Sequence, residues 1–203
     1  MNKLLMHLQT IHIHRKYVRK MCFNLGIPWR GLVHDLSKYS PTELSIYKYY
    51  DGKRSPHEIA RMELGYSPSW IHHKRKNKHH WEYWVDSFEE NTCVKMPWKY
   101  CLEMFADITG ASKSYGVKNP NWTTEEPLKY WINKCINKRR QHVQSRTLVQ
   151  ILLIKYAELG ELKFTEWFKS NKKVIKKYYV ENKIQMYNIN NPKAKELFEM
   201  WEK

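Results

Sequence analysis

Apolar residues return every three or four positions through the start of the chain. Leu4, Leu8, Ile11, Val18, Cys22 and Leu25 mark one stripe, and His14 falls inside it. That period predicts one long helix, with His12, Lys16 and Arg19 on its wet face. Gly26 predicts its stop, with Pro28 just beyond. A short helix is expected to carry Leu32, Val33, His34, Asp35 and Leu36. Ser40-Pro41-Thr42-Glu43 and Ser55-Pro56-His57-Glu58 both read as capping boxes with Pro at the first helical position. Ser67-Pro68 repeats the start without the Glu, and Asp51-Gly52 supplies a turn. The third of these helices runs through Trp70, Ile71, His72 and His73 toward Asn77.

A loop is expected from Glu89 to Lys95, after which Pro97 opens another helix. Trp98, Cys101, Phe105 and Ile108 form its apolar stripe, Asp107 lies beside it, and Gly110 is expected to end it. A long loop is expected from Ser112 to Thr124, and helix again from about Glu125. Period-two alternation is missing, so the pattern predicts an all-α fold with no hairpin. We expect one helical bundle over residues 1–124 and a C-terminal helical extension over residues 125–203 packed on it. Trp131, Tyr156, Trp167 and Trp201 are expected to make that packing, with Val174, Ile175 and Tyr178 in the core.

Hydrophobic residues make up 42% of the 203 positions and glycine only 7, which fits folded structure nearly end to end. The formal charge of +16 suits a polyanionic partner without naming one, and a solvated basic surface is the plain alternative. Cys22, Cys93, Cys101 and Cys135 form no CxxC pair and read as reduced thiols. The first residues carry no long apolar core of a signal peptide, and no stretch approaches the roughly 20 apolar residues of a membrane span. A cytoplasmic protein without a membrane partner is therefore expected.

Histidine changes the picture. His14, His34, the pair His72-His73 and the pair His79-His80 stand with Asp35 and Asp107 in segments that are otherwise apolar or helical. Imidazole and carboxylate are ligands for Mn, Fe, Co, Ni or Zn. Helices that each bring one or two such groups to a common point build metal sites in helical folds. An Asp in an apolar segment is costly unless it is paired or ligating. In "WIHHKRKNKHHWEYW", His73, Asn77 and His80 share a face if the helix continues, and His72 and His79 share a neighbouring one. Lys74, Arg75, Lys76 and Lys78 in the same stretch also suit a patch that grips phosphates.

The order His14, His34-Asp35, histidine pair, Asp107 resembles the HD-domain superfamily of metal-dependent phosphohydrolases. "HDLSK" is similar to the HDxGK variant of the HD-GYP branch, although the GYP signature is absent, so cyclic dinucleotide cleavage is not implied. A closer likeness joins "RGLVHDLSKYSPTE", "GYSPSWIHHKRKNKHHWEYW" and "EMFADITGA" to an uncharacterised family of bacterial and phage proteins, over roughly residues 1–130.

The resemblance implies an HD-like bundle in which His14, His34, Asp35 and Asp107 hold one divalent ion. His73 and His80 would complete a second site, and which histidine of each pair ligates stays open. It implies a metal-activated water, Lys38 on the substrate phosphate, and Glu82 or His79 at the leaving group, with Arg75 and Asn77 near the substrate. Asp35 and Lys38 also stand at the spacing of a simple helical ion pair. The expected substrate is a nucleotide or another phosphate ester. Two other classes fit the same residues. One is a non-catalytic basic protein that binds nucleic acid, and the other is a degenerate HD module that binds metal without turnover.

Overall fold

The computed structural model describes residues 2–51, 54–86, 92–116, 119–135 and 141–185. Helix α1 (Lys3–Asn24) starts where the Asn2 side chain accepts a hydrogen bond from Leu4 N at 2.9 Å. Its buried face is His7, Ile11, His14, Val18, Met21 and Cys22, the predicted stripe shifted by little. Gly26 turns the chain at φ +70°, in the left-handed region open to glycine. Lys172 Nζ donates to Leu25 O at 2.7 Å beside that turn, which caps the end of α1 from the far end of the chain.

Helix α2 (Pro28–Val33) stops one residue before His34, so His34 and Asp35 do not ride on a helix as the pattern predicted. Asp35 itself is left-handed at φ +54°, and a single 3-10 turn (Leu36–Tyr39) follows. The apolar residues around the pair misled the reading, for Leu32 and Leu36 are exposed while His34 and Asp35 are buried. Helices α3 (Pro41–Leu44), α4 (Pro56–Leu64) and α5 (Pro68–Lys76) each begin with the predicted proline. Ser40 and Ser67 accept from the backbone N–H three residues on, whereas Ser55 makes no side-chain cap.

Strands β1 (Val85–Asp86) and β2 (Thr92–Cys93) form a two-residue antiparallel pair, too short to leave a period in the sequence. Helix α6 (Trp98–Gly116) runs past Gly110 and through the start of the expected loop. Gly110 is there for contact: a Cβ on it would lie 2.5 Å from Val18 Cγ2, so α1 and α6 cross where only a hydrogen fits. Helix α7 (Glu126–Tyr130) leads into a π-helical turn (Trp131–Cys135). Helix α8 (Val143–Val180) is two segments joined at Gly160, whose φ of +71° and ψ of 167° break the helical path.

One apolar core joins these parts. Val18, Cys22 and Leu25 of α1 meet Cys101, Leu102 and Phe105 of α6 and Leu148, Leu152, Phe164, Phe168 and Ile175 of α8. Each fully buried Leu or Phe of this kind contributes about 1.5–3 kcal/mol relative to exposure. Tyr179 anchors the end of α8 by its hydroxyl, which meets Ser145 Oγ at 3.0 Å, Cys101 Sγ at 3.2 Å and the carbonyl of Met96. Trp131 and Tyr156 are buried and Trp167 is partly so. Val174 departs from expectation at 48% exposed, because its neighbour Ile175 takes the inward position. Cys22, Cys93 and Cys101 are free thiols. Trp201 and the Cys135 side chain lie outside the described residues. Among the described residues no helix is long and apolar enough to cross a membrane.

Candidate metal centre

Three parts of the chain aim donors at one point. α1 supplies His14, the α2 end supplies His34 and Asp35, and α6 supplies Asp107. The His14 and His34 Nε2 atoms stand 3.3 Å apart. Asp35 Oδ2 lies 3.4 Å from His14 Nε2 and 3.3 Å from His34 Nε2. Asp107 Oδ1 lies 3.1 and 3.3 Å from the same nitrogens. Ligands about 2.0–2.1 Å from a common ion in a tetrahedron stand about 3.3–3.4 Å from one another, so the spacing is that of a first coordination shell.

A second group shares Asp35. His73 from α5 places Nε2 3.4 Å from Asp35 Oδ1, and His79 places its own Nε2 at the same 3.4 Å. His80 joins them, with one donor atom from each of the four residues lying within 4.8 Å of the others. Helix α5 ends at Lys76, so His79 and His80 arrive from a turn and both reach inward, which a continued helix would not allow. Asp35 thus offers Oδ2 to one group and Oδ1 to the other. Asp35 Oδ2 is met by Lys38 Nζ at 2.7 Å, whereas buried Asp35 Oδ1, His79 Nε2 and His80 Nε2 make no conventional hydrogen bond. Buried polar atoms are normally paired, so these donors fit a divalent cation. The buried His and Asp groups could hold a metal ion, and the mixed nitrogen and oxygen set suits Mn, Fe, Co, Ni or Zn.

Carboxylates behind the histidines fix which nitrogen faces the centre. Glu43 accepts from His73 Nδ1 at 2.6 Å and from His72 Nδ1 at 2.7 Å. Glu103 accepts from His34 Nδ1 at 3.1 Å and is itself gripped by Arg30, Nε to Oε2 at 2.6 Å and Nη2 to Oε1 at 3.1 Å. An ionised carboxylate only accepts, so each Nδ1 carries a proton, and for His34 and His73 the Nε2 is the nitrogen turned toward the centre. Glu43 and Glu103 were not among the sequence candidates. Glu43 passed for a capping-box residue, yet its carboxylate turns inward. The signal for Glu103 was its spacing of four from Asp107 within a buried stripe.

The charges are coupled. Burial opposes ionisation of Asp35, but His34, Lys38 and His73 hold its carboxyl well below the usual range. Burial likewise opposes a charge on His34, and Asp35, Asp107 and Glu103 overcome it and raise the imidazole well above its ordinary value. Lys38 Nζ stands 2.7 Å from Asp35 Oδ2.

His14, Asp107, His73, His80, Lys38 and Glu82 line one cavity of about 600 Å³, within the range of small-molecule sites. His79 is placed behind the centre at 0% exposure, among the groups that could ligate an ion rather than at a substrate. Asn77 is taken up by Ser37 Oγ at 2.7 Å and His73 O at 2.9 Å, and it ties the α5 end to the turn after Asp35. Arg75 is exposed and is not brought to the cavity, because α5 directs it outward while His73 points in.

Residues 3–153 match the sequence model of a family described as a family of unknown function, DUF5662. No curated protein and no solved structure matches the chain.

Proposed function

The chain belongs to the DUF5662 family, and from the side chains this member brings together we propose that it is a metal-dependent phosphohydrolase of HD type. One observation carries the reading: Asp35 divides its oxygens between two donor groups, beside a cavity that also holds Lys38. The motif order that resembles the HD superfamily supports it.

When bound, divalent ions supply Lewis acidity, which makes water a nucleophile near neutral pH and neutralises phosphoryl charge. His14, His34, Asp35 and Asp107 would hold one ion, and Asp35 with His73, His79 and His80 another. The chain's own residues do the rest. Lys38, at the cavity wall, offers an ammonium to a phosphoryl oxygen. Glu82 lines the same wall and would hand a proton to a leaving oxygen. Glu43 and Glu103 hold the imidazoles in one tautomer through binding and release.

The test is to purify the protein without chelator, count bound metals, and screen phosphate esters with and without added Mn. The reading expects metal in the protein and hydrolysis that EDTA abolishes. Protein that takes up no divalent ion sinks it.

A specific observation favours a second reading. Lys169, Lys173, Lys176 and Lys177 are exposed on the face of α8 opposite buried Phe164, Phe168 and Ile175. Such a basic stripe suits nucleic acid without catalysis. Binding of that kind would be insensitive to EDTA and would fall steeply with salt.

A further inference from the structure

Little of this protein's positive charge lines its cavity among the described residues. The chain carries +16, yet among the described residues that line the cavity Lys38 is the one lysine, and there is no arginine. Glu82 and Glu126 stand on the same walls, Glu126 with its Oε1 paired to Lys129 Nζ at 2.9 Å. Two further wall residues, His7 and His57, stay neutral at physiological pH. Burial first, and Lys38 second, lowers His7 to about 4 and His57 to about 3. Trp70, Trp81, Trp122 and Tyr115 add rings to the wall, beside aliphatic Ile11, Ile46 and Ile108 and small polar residues.

These features sort substrates. One phosphoryl group is served by the metal centre and Lys38. A second or third phosphate would lie along carboxylates and neutral rings, with no further lysine or arginine among the described wall residues to receive it, a poor exchange for its hydration. The space beyond the phosphate is large enough for a ring and lined to stack on one. His7 is two helical turns from His14 on the same face of α1, about 10 Å along the axis, and both line the cavity.

We propose that the cavity selects a small ester with a single phosphoryl group and an uncharged, ring-bearing leaving group, and excludes polyphosphates and nucleic acid strands. The proposal rests on the phosphohydrolase reading for the seat of the phosphoryl group. The basic stripe of α8 lies elsewhere and takes no part in it.

Binding decides it without turnover. Calorimetry on Mn-loaded protein, at fixed free Mn, compares benzylphosphonate, methylphosphonate, a β,γ-methylene nucleoside triphosphate and a single-stranded DNA oligonucleotide. Benzylphosphonate is expected to bind at least about tenfold more tightly than methylphosphonate, as burial of a ring in an apolar wall requires, and more tightly than the triphosphate analogue. The oligonucleotide is expected not to compete with it. E126K, which adds a cation to the wall, is expected to strengthen the triphosphate analogue several-fold and leave benzylphosphonate unchanged. Tighter binding of the triphosphate analogue, competition by the oligonucleotide, or no binding of benzylphosphonate overturns the proposal. The wild-type ranking settles the matter even if E126K does not fold. Benzylphosphonate binding as expected, with no phosphate ester hydrolysed, would instead overturn the phosphohydrolase reading and leave the selectivity standing.

Discussion

Glu43 holds His73 by Nδ1 at 2.6 Å, and the imidazole is thereby left with Nε2 as its donor toward Asp35. The two residues sit 30 apart in sequence and belong to helices α3 and α5. Removing the carboxylate frees the ring to turn and to change tautomer. Glu43→Ala is therefore expected to weaken one metal site about 10–100-fold while the other keeps its ion. Metal titration followed by calorimetry would show one of two binding steps weakened. Equal loss at both steps would contradict the assignment.

Asp35 is common to both donor groups, so its loss should differ in kind from that of a ligand at one group. Asp35→Asn is expected to empty both sites, and His80→Ala only one. Elemental analysis of protein purified without chelator reads this directly. Metal content in Asp35→Asn equal to wild type would show that the centre lies elsewhere.

Metal affinity should rise with pH. In metal-free protein His34 sits well above its ordinary value, so an ion must displace a proton from Nε2. A raised folded value means that this group's contribution to stability is full below about 6.5 and is lost as pH rises through the folded value. Glu103 runs the other way. Burial opposes its charge, but hydrogen bonds from His34, His79 and Arg30 lower it from 4.5 to about 2. Its contribution is full above 4.5 and is lost as pH falls toward about 2. Melting curves against pH, with and without EDTA, should show the metal-dependent gain growing as pH rises above 6.5 toward the raised value at which His34 gives up its proton. Glu103→Gln should flatten the acid limb.

The α1–α6 crossing should tolerate no added methyl group. Gly110→Ala would place its Cβ 2.5 Å from Val18 Cγ2 and is expected to cost about 1–3 kcal/mol. For a chain of this size that lowers the melting temperature by about 2–4 °C per kcal/mol. Val18→Ala in the same chain should recover part of the loss, since the two sites are in contact. Additive losses in the double variant would show that the clash is relieved by some other movement. His14 lies one turn before Val18, and Asp107 one turn before Gly110, so the variant should also loosen metal binding.

Much of this was legible because helix leaves a long-range mark in sequence. The stripe of α1 located His14, and the Ser-Pro starts located α3 to α5. What the pattern could not carry was local reversal. His34 and Asp35 read as helical because apolar residues flank them, yet the chain turns left-handed there. Gly110 read as a stop because glycine usually stops helices, while here it makes room for Val18. The helix was expected to run toward Asn77, and its continuation would have put His79 and His80 on neighbouring faces; the turn after Lys76 brings both to the donor group. Glu43 and Glu103 went unseen because each has an ordinary local explanation, and only the third dimension brings a histidine to each.

Asp35 rests at φ +54°, a backbone region that Asp and Asn tolerate and that larger side chains rarely enter. The palette at this position is therefore narrower than its chemistry suggests. Glutamate, the usual like-for-like exchange, would keep the negative charge yet disturb the path of the main chain. Asparagine would do the reverse. A designer who wants to silence the pocket while preserving its shape has one natural replacement to reach for, and it is the amide.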